Sequence, residues 1–370
     1  MSEPLLGILA IYMNAKRQFE ELAYFRQLAV RGKKLGLRVM VFSPEDVDHA
    51  RRRIRGLFYL PESRSWVRRW SPFPDIVYDR CRNQTNPRFR QLREFRGTYP
   101  HLAYLNRPLA NKWGVYQTLM QNKDIRPHLP RTARFPGFRK LWKLLRNGRT
   151  LYMKPANGTG GRGILRIRRA GSRLSVQGRD RSRRIIQNRL VTITQLTEML
   201  RGWPLEETYM VQQGIDLALP DGRVHDFRLL MQKNENGVWE VTGCAGRVGP
   251  PRSITSNLHG GGSAVPMDQL LLRRFSQERV EEIKSAIERL GHNVVRQLEQ
   301  KYGKLCEMAL DIGVDPRGRV FLLEVNPKPS REVFRRIGEK DVYERAVTRP
   351  LHYALWVYRQ TRKADNKSGE

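Results

Sequence analysis

Apolar runs alternate with helical periodicity over the first hundred residues. Short apolar runs typical of buried strands cover residues 5–12, 37–42 and 75–78, and residues 19–29 carry apolar side chains at helical spacing. Strands that alternate with helices are typical of a doubly wound parallel sheet. We therefore expect an N-terminal α/β domain over residues 1–107.

The pattern then changes to strand-rich segments joined by turns. Extended runs fill residues 207–250, and residues 276–301 carry apolar side chains on one face of a long helix. A hairpin turning at residues 315–318 follows, and residues 340–362 have helical character. After the N-terminal domain we expect two α+β subdomains, at residues 108–212 and 213–362. A frayed polar tail is expected at residues 363–370.

Charge adds a second feature, because this chain of 370 residues has a formal net charge of +33 and 53 arginines. Residues 51–97 hold 13 arginines and four acids, and residues 162–189 hold ten arginines and one acid. Such a surface serves solubility alone or binds a polyanion, and arginine pairs with carboxylate or phosphate through two hydrogen bonds. The absence of zinc-finger spacing, an RNP1-like motif and a basic zipper argues against nucleic acid. An acidic peptide or another anionic polymer is the candidate partner.

Cysteine content and the length of apolar runs bear on the compartment. Cys81, Cys244 and Cys306 are far apart and form no CxxC motif, so we expect neither a disulfide framework nor a zinc site. The apolar run of residues 5–13 is too short to span a bilayer and lacks the flanks of a signal peptide. We expect no membrane span and a cytoplasmic protein.

A glycine-rich loop follows a short strand that ends at a lysine. The strand pattern of residues 151–154 ends at Lys154, and glycines then recur at Gly158, Gly160, Gly161 and Gly163. Glycine lets backbone N–H groups approach phosphate oxygens, and the lysine adds a cation. The loop matches neither a Walker A loop nor a dinucleotide-binding turn, because no Gly-Lys-Ser/Thr closes it and another strand follows. The alternative is an ordinary hairpin turn.

Carboxylates interrupt two neighbouring apolar strands near the C-terminal end. Asp311 lies in the first strand, and Glu324 and Asn326 lie two positions apart, hence on one face, in the second. The hairpin between the strands brings Asp311 beside them. Two carboxylates and an amide oxygen suit Mg²⁺, or Mn²⁺, shared with substrate phosphates. The alternative is an acid pair neutralised by some of the many arginines.

Lys112, Lys154 with its glycine loop, and the set Asp311, Glu324 and Asn326 resemble the ATP-grasp superfamily in order and spacing. The resemblance covers residues 105–330 and implies an α/β pre-grasp domain followed by two α+β grasp subdomains. It implies ATP and Mg²⁺ as cofactors, with both lysines on the phosphates. It also implies nucleotide contacts from Gln212, Gln213 and Asp226, and catalytic contacts from Arg228, Arg247 and Asn257.

A closer resemblance is to the endospore-coat-associated ATP-grasp proteins of the YheC/YheD type. The segments that carry it are residues 211–217, 225–228, 241–243 and 255–258. It implies a spore-forming bacterium and a place in the spore coat or envelope. The heavy arginine content departs from that family.

The chemistry that the resemblance implies is ligation. ATP phosphorylates a carboxylate, an amine attacks the acyl phosphate, and an amide and ADP result. The substrates implied are a small-molecule or peptide carboxylate and an amine. Mg²⁺ would neutralise charge on the β- and γ-phosphates, and Arg228 and Arg247 would stabilise the transferring group.

Three further residues are candidate substrate contacts. Arg80 and Asn83 follow the strand at residues 75–78, and the carboxyl ends of parallel strands commonly carry ligand contacts. A substrate carboxylate would pair with Arg80 there, and the alternative is a surface arginine among many. His259, in a glycine loop, is either a base for the amine or a binding contact.

Two other functions compete with ligation. A non-catalytic protein of a spore layer would keep the fold as a scaffold, but a scaffold does not need Asp311 and Glu324 in a cleft. A nucleic-acid-binding protein rests on charge alone. Thermal stabilisation by ATP and Mg²⁺ favours the enzyme, and salt-sensitive DNA binding without an ATP effect favours the nucleic-acid-binding protein.

Overall fold

The computed structural model describes residues 3–81, 86–146, 149–158, 162–256 and 258–368. Three β-sheets with packed helices make up this part of the chain. None of its helices is both long and apolar enough to cross a membrane. All three cysteines are free thiols. Short 3₁₀ turns occupy Pro44–Asp46, Arg126–His128 and Leu258–Gly260.

The N-terminal domain is built on a seven-stranded sheet. Its strands are β1 (Leu5–Leu9), β2 (Arg38–Phe42), β3 (Val47–Asp48), β4 (Arg53–Leu60), β5 (Ser65–Pro72), β6 (Ile76–Asp79) and β7 (Ala103–Tyr104). β1 pairs in parallel with β2 and β6, and β6 pairs in parallel with β7, as the alternating pattern predicts. An antiparallel hairpin of β4 and β5 extends the sheet beyond β2 and was not predicted.

Helices cover both faces of this sheet, which makes it doubly wound. The two helices are α1 (Leu22–Lys34) and α2 (Phe89–Thr98). α1 packs Phe25 on the face of β1 that carries Leu6, and α2 packs Leu92 on the face that carries Leu5. The α/β fold class expected for this domain is confirmed.

The middle domain contains a six-stranded antiparallel sheet in the order β12-β11-β10-β9-β13-β8. Its strands are β8 (Thr132–Arg134), β9 (Thr150–Pro155), β10 (Ile164–Ala170), β11 (Arg173–Arg179), β12 (Ile185–Val191) and β13 (Tyr209–Gln213). Its helices are α4 (Phe138–Leu144), α5 (Ile193–Met199) and α6 (Leu205–Thr208). Helix α3 (Lys112–Met120) comes before this sheet in the chain, but it packs Val115 and Leu119 into the core of the third sheet described next. α4, α5 and α6 pack on the face that buries Leu165 and Val176. The opposite face is left for the cleft described below.

The third sheet is antiparallel, in the order β16-β15-β14-β17-β18. Its strands are β14 (His225–Lys233), β15 (Trp239–Val248), β16 (Ser263–Pro266), β17 (Glu307–Val314) and β18 (Val320–Asn326). Helices α7 (Met267–Leu271) and α8 (Gln277–Tyr302) lie between β16 and β17 in the chain. As predicted, α8 is a long amphipathic helix, and it buries Val280, Ile287 and Leu298 against this sheet.

The C-terminal segment packs on both the third sheet and the N-terminal domain. It consists of α9 (Glu332–Arg336) and α10 (Lys340–Ser368), and α10 continues past the end predicted at residue 362. Leu351 and Val357 of α10 join the buried core formed by α1 and β1. Arg31 of α1 also forms an ion pair with Glu344 at 2.6 Å. The last long helix therefore helps to hold the first sheet in place.

Replacement of Leu351 by Ala tests this packing. We expect the free energy of unfolding to fall by about 2–5 kcal/mol, because a fully buried side chain is lost and a cavity remains. Urea denaturation measures the change, with the exposed Arg359→Ala on the same helix as control. Equal stability of both variants and the wild type would contradict the packing of α10.

Candidate nucleotide and metal site

Charged side chains of both signs lie together on one face of the third sheet. Arg247 on β15 lies directly opposite Asp226 on β14, and Arg228 on β14 lies opposite Asp311 on β17. Asp311 in turn lies opposite Glu324 on β18. Opposed residues of antiparallel strands share a face, and Asp226 and Arg228 lie two positions apart on β14. Strand register therefore places these five side chains on one face, in two neighbouring rungs that we call the row.

Two arginines hold Asp311 in this row. Arg228 donates from Nε to Asp311 Oδ1 at 2.6 Å, and Arg247 Nη2 lies 3.0 Å from Asp311 Oδ2. Arg247 also donates to both oxygens of Asp226, at 2.7 and 2.6 Å. Although burial raises the pKa of Asp311, the arginine charges and hydrogen bonds hold that pKa below its ordinary value. Asp311 is therefore an ionised carboxylate in a buried position.

Two lysines reach this row from outside the third sheet, one on α3 and one on β9. Lys112, the first residue of α3, places Nζ 3.2 Å from Glu324 Oε1. Lys154 on β9 donates to Gln212 Oε1 at 2.8 Å. Burial, and then the charge of Lys112, lower the pKa of Lys154 to about 8, against the opposing effect of Glu324 and Asp311. The cleft between the two sheets thus presents four cations beside three carboxylates, a balance that suits a polyanionic phosphate chain.

The predicted metal ligands lie together on β17 and β18. Asn326 lies opposite Ala309, two residues before Asp311, and its Nδ2 is 3.4 Å from Asp311 Oδ2. Rotation of that amide would present its oxygen instead. In the described part of the chain, no three His, Cys, Asp or Glu side chains are grouped to hold a metal. The donor set fits Mg²⁺ that takes two carboxylates, one amide oxygen and further oxygens from phosphate or water.

The alternative interpretation of the acids also has support. Arg228 and Arg247 neutralise Asp311, and Lys112 pairs with Glu324. Each carboxylate oxygen has two lone-pair positions, so an arginine contact still leaves room for a cation. Charge neutralisation and metal binding are therefore compatible at this site.

The glycine loop after β9 is described only at its two ends. Gly158 and Gly163 have φ angles of +125° and +62°, in the region that favours glycine. A Cβ on Gly163 would also collide with the Tyr209 hydroxyl. Gly160 and Gly161 lie outside the described residues. The two described glycines meet a backbone requirement that other residues would satisfy only with strain.

Gln212 and Gln213, at the end of β13, lie beside the cleft but differ in their contacts. Gln212 is buried, accepts the Lys154 hydrogen bond and donates to the Thr132 hydroxyl at 3.1 Å. Gln213 is exposed and accepts from the Arg131 backbone N–H at 3.4 Å. The Gln212 side chain positions the lysine that we expect on the phosphates.

Two of the predicted substrate and catalytic residues lie outside the part of the chain that the structure describes, and a third lies in a short turn. Asn83 and Asn257 lie outside the described residues. His259 belongs to the 3₁₀ turn Leu258–Gly260, which follows the third sheet's strand β15 and precedes β16. These three residues therefore stay predictions.

The structure corrects the prediction for Arg80. Its guanidinium is fully buried and donates to Glu307 at 2.8 Å and to both oxygens of Glu21 at 2.8 and 2.9 Å. It also donates to the Pro329 carbonyl. An arginine held by two carboxylates inside the protein is not placed to receive a substrate carboxylate. It instead joins the N-terminal sheet to β17.

Sequence reasoning missed a second link between the same units. Lys328, two residues after Asn326, donates to Asp79 at 2.8 Å and to the Cys81 carbonyl. Arg96 of α2 also pairs with Asp79. The lysine that follows the predicted metal-binding strand was the available signal. This contact fixes the end of β18 against the end of β6.

Comparison with known proteins agrees with this arrangement. A family model described as YheC/D like ATP-grasp matches residues 101–357. The chain belongs to the YheC/D-like ATP-grasp family. Its similarity to the endospore coat-associated protein YheC of Bacillus subtilis is 27% identity, over 94% of this chain and 95% of YheC. For YheD of the same organism the identity is 26%, over 96% of this chain and 79% of YheD.

Solved structures support the fold of this ATP-grasp chain. The D-alanine–D-alanine ligase of Bacillus anthracis, complexed with ATP, superimposes with a TM-score of 0.54. The match has 10% sequence identity and covers 98% of this chain and 99% of the ligase. At this identity the likeness shows the ATP-grasp fold alone. The expected arrangement of a pre-grasp domain before a grasp is thereby confirmed as a fold class.

Protonation of Lys154 gives a pH-dependent prediction. Near pH 8 this lysine is about half protonated in the free protein, and phosphate favours the ammonium form, so nucleotide binding takes up about half a proton. Calorimetric titration with ATP in two buffers of different ionisation enthalpy measures this uptake. Affinity should also fall as the pH rises above 8. In Lys154→Arg, which stays charged, we expect no such uptake, and equal uptake in both proteins would refute the assignment.

The buried position of Arg247 gives a stability prediction. Loss of one partner of a buried ion pair typically costs about 3–5 kcal/mol, so Arg247→Ala should lower the free energy of unfolding by that amount. Adding Asp226→Asn should recover part of the loss because one uncompensated charge disappears. Urea denaturation measures both, with Arg279→Ala, which breaks an exposed pair, as control. A loss no larger than the control's would show that the row is not held by these contacts.

Proposed function

We propose that this protein is an ATP- and Mg²⁺-dependent ligase that joins a carboxylate to an amine. The observation that carries the proposal is the meeting of Lys112 on α3 and Lys154 on β9 with Glu324 and Asp311 of the third sheet. Family membership and the likeness to a D-alanine–D-alanine ligase support ATP chemistry in this cleft.

The proposed roles follow from charge and position. Lys112 and Lys154 bind the phosphates, and the glycine loop between Gly158 and Gly163 covers them with backbone N–H groups. Asp311, Glu324 and Asn326 hold Mg²⁺, which when bound neutralises charge on the β- and γ-phosphates. The Lys112 ammonium now beside Glu324 would then move to a phosphate oxygen.

The proposed ligation has two steps, phosphoryl transfer to the carboxylate and then amide formation. A substrate carboxylate oxygen attacks the γ-phosphorus, the bond to the β–γ bridging oxygen breaks, and ADP leaves with that electron pair. The amine nitrogen then attacks the acyl carbon, the bond to the phosphate oxygen breaks, and the nitrogen loses a proton as the amide forms. The products are the amide, ADP and inorganic phosphate.

Two arginines provide fixed positive charge for the transferring group. The Arg228 side chain is 14% exposed and the Arg247 side chain 4% exposed, and Asp311 and Asp226 hold both in place. Donors that are already oriented need no reorganisation as charge develops. We propose that Arg228, the more open of the two, contacts the phosphoryl group, with Arg247 behind it.

The curated relatives suggest where the activity is used. YheC and YheD are both named endospore coat-associated proteins. We propose that this chain acts in formation of the spore coat or envelope. Small-molecule or peptide substrates with a carboxylate and an amine fit a cleft of this charge.

Replacement of Glu324 by Gln tests the metal and nucleotide assignment together. In the wild type, ATP with Mg²⁺ at about 100 times its Kd should add about 2.7 kcal/mol of stability, and ATP with EDTA should add far less. Thermal denaturation measures the difference between the two conditions. Glu324→Gln should lose it, whereas the exposed Glu288→Gln should keep it.

A Glu324→Gln variant that keeps full Mg²⁺-dependent stabilisation would contradict the metal assignment. Stabilisation by ATP that ignores Mg²⁺ in the wild type would instead favour a non-catalytic nucleotide-binding protein of a spore layer.

A further inference from the structure

The two arginine-rich segments differ in how their charge is compensated. In residues 51–97, ion pairs with carboxylates involve Arg53, Arg68, Arg80, Arg88, Arg90 and Arg96. Across the described part of the chain, no carboxylate forms an ion pair with any of the ten arginines of residues 162–189. The second segment therefore holds a concentration of positive charge that the protein itself does not neutralise.

Strand alternation places part of this charge on the face of the sheet that carries Lys154. Leu165 and Ile167 of β10 and Val176 of β11 belong to the buried core, so their neighbours in sequence face the other way. These neighbours include Arg166 and Arg168, and Arg179, three residues after Val176, faces the same way. We call Arg166, Arg168 and Arg179 the arginine face. Met153 is likewise in the core, so Lys154 projects on the same side as the arginine face.

Contacts connect the arginine face with the loop of the third sheet. Arg166 donates to Gln177 Oε1 at 2.6 Å, and Gln177 donates to the Arg252 carbonyl. A Cβ on Gly260 would lie 3.2 Å from Arg179 Nη2. The arginine face thus runs from the phosphate-binding lysine to the segment that follows β15, which continues the proposed active-site cleft.

An exposed apolar edge borders the arginine face. β12 pairs with β11 and is the last strand of the sheet. Ile185 lies opposite Arg179 and is 71% exposed, and Leu190 lies opposite Ser175 and is 55% exposed. An edge strand offers free backbone donors and acceptors to an added extended segment.

We propose that the arginine face and β12 bind an extended acidic peptide, which supplies the carboxylate substrate of the ligase. This inference rests on the proposed function for the role of the peptide, but not for its binding. Arginine pairs with carboxylates in bidentate fashion, and β12 provides strand addition and aliphatic contacts. Proteins that bind single-stranded nucleic acid stack bases on exposed aromatic rings, whereas the exposed apolar side chains here are aliphatic.

Fluorescence anisotropy with labelled decaglutamate tests the proposal without nucleotide. The triple variant R166Q/R168Q/R179Q should raise the Kd about tenfold, because charge-assisted hydrogen bonds are lost. The matched control R51Q/R55Q/R69Q removes the same charge from exposed positions on β4, β5 and the turn before them, and should change the Kd less than about twofold. Labelled decaglutamine and ten-nucleotide oligothymidylate serve as comparison probes.

Equal weakening by the two triple variants would overturn the proposal, since net charge alone would then explain binding. Oligothymidylate that binds more tightly than decaglutamate, and is lost in the first triple variant, would identify a nucleic-acid surface instead. Arg168 is exposed, and Arg168→Glu should disturb no internal contact of the described residues. An unchanged melting temperature checks that this variant is folded. It should also weaken decaglutamate binding, and unchanged affinity would count against the site.

Failure of the proposed function gives a separate result. Thermal stabilisation by ATP and Mg²⁺ should be the same in the first triple variant as in the wild type. A wild type that binds decaglutamate through the arginine face but shows no such stabilisation would overturn the ligase and leave the peptide site in place.

Discussion

The pairing of Asp311 with Arg228 and Arg247 is the interaction on which the candidate site depends. A carboxylate within a sheet loses hydration, and that loss is destabilising unless neighbouring charges compensate it. Here the compensation comes from β14, the neighbouring strand, and from β15 beyond it, because the register of β14, β15 and β17 brings the three side chains together. Asp311 stays ionised as a result, and Glu324 lies opposite it on the neighbouring strand β18. A phosphate chain and its cation would meet charges whose positions the backbone already fixes.

The same strand anchors the site to the N-terminal domain. Glu307 lies four residues before Asp311 on β17, is fully buried, and accepts from Arg80, Arg331 and the Tyr78 hydroxyl. Lys328 adds the contact to Asp79 beyond the end of β18. Because β17 and β18 are antiparallel, both contacts tie the same end of this predicted metal-binding hairpin to the N-terminal domain through buried ion pairs.

Local pattern predicted the parts of the fold that depend on short-range periodicity. β1, β2, β6 and α8 lie where apolar alternation or helical spacing places them, and the hairpin at residues 315–318 brings Asp311 opposite Glu324. The β4–β5 hairpin was missed because its strands are arginine-rich and largely half-exposed. The role of Arg80 was missed because its partner Glu307 is 227 residues away in sequence. Motif order indicated the lysines and acids, but only tertiary packing shows which of them meet.

The measurement that tests this account most directly is a crystal structure with Mg²⁺ and a non-hydrolysable ATP analogue. The account predicts β- and γ-phosphates between Lys112 and Lys154, and Mg²⁺ at about 2.0–2.1 Å from oxygens of Asp311, Glu324 and Asn326. The contact of Lys112 with Glu324 should then be replaced by one with phosphate. A nucleotide bound elsewhere, or a cation that none of these three side chains coordinates, would contradict the account.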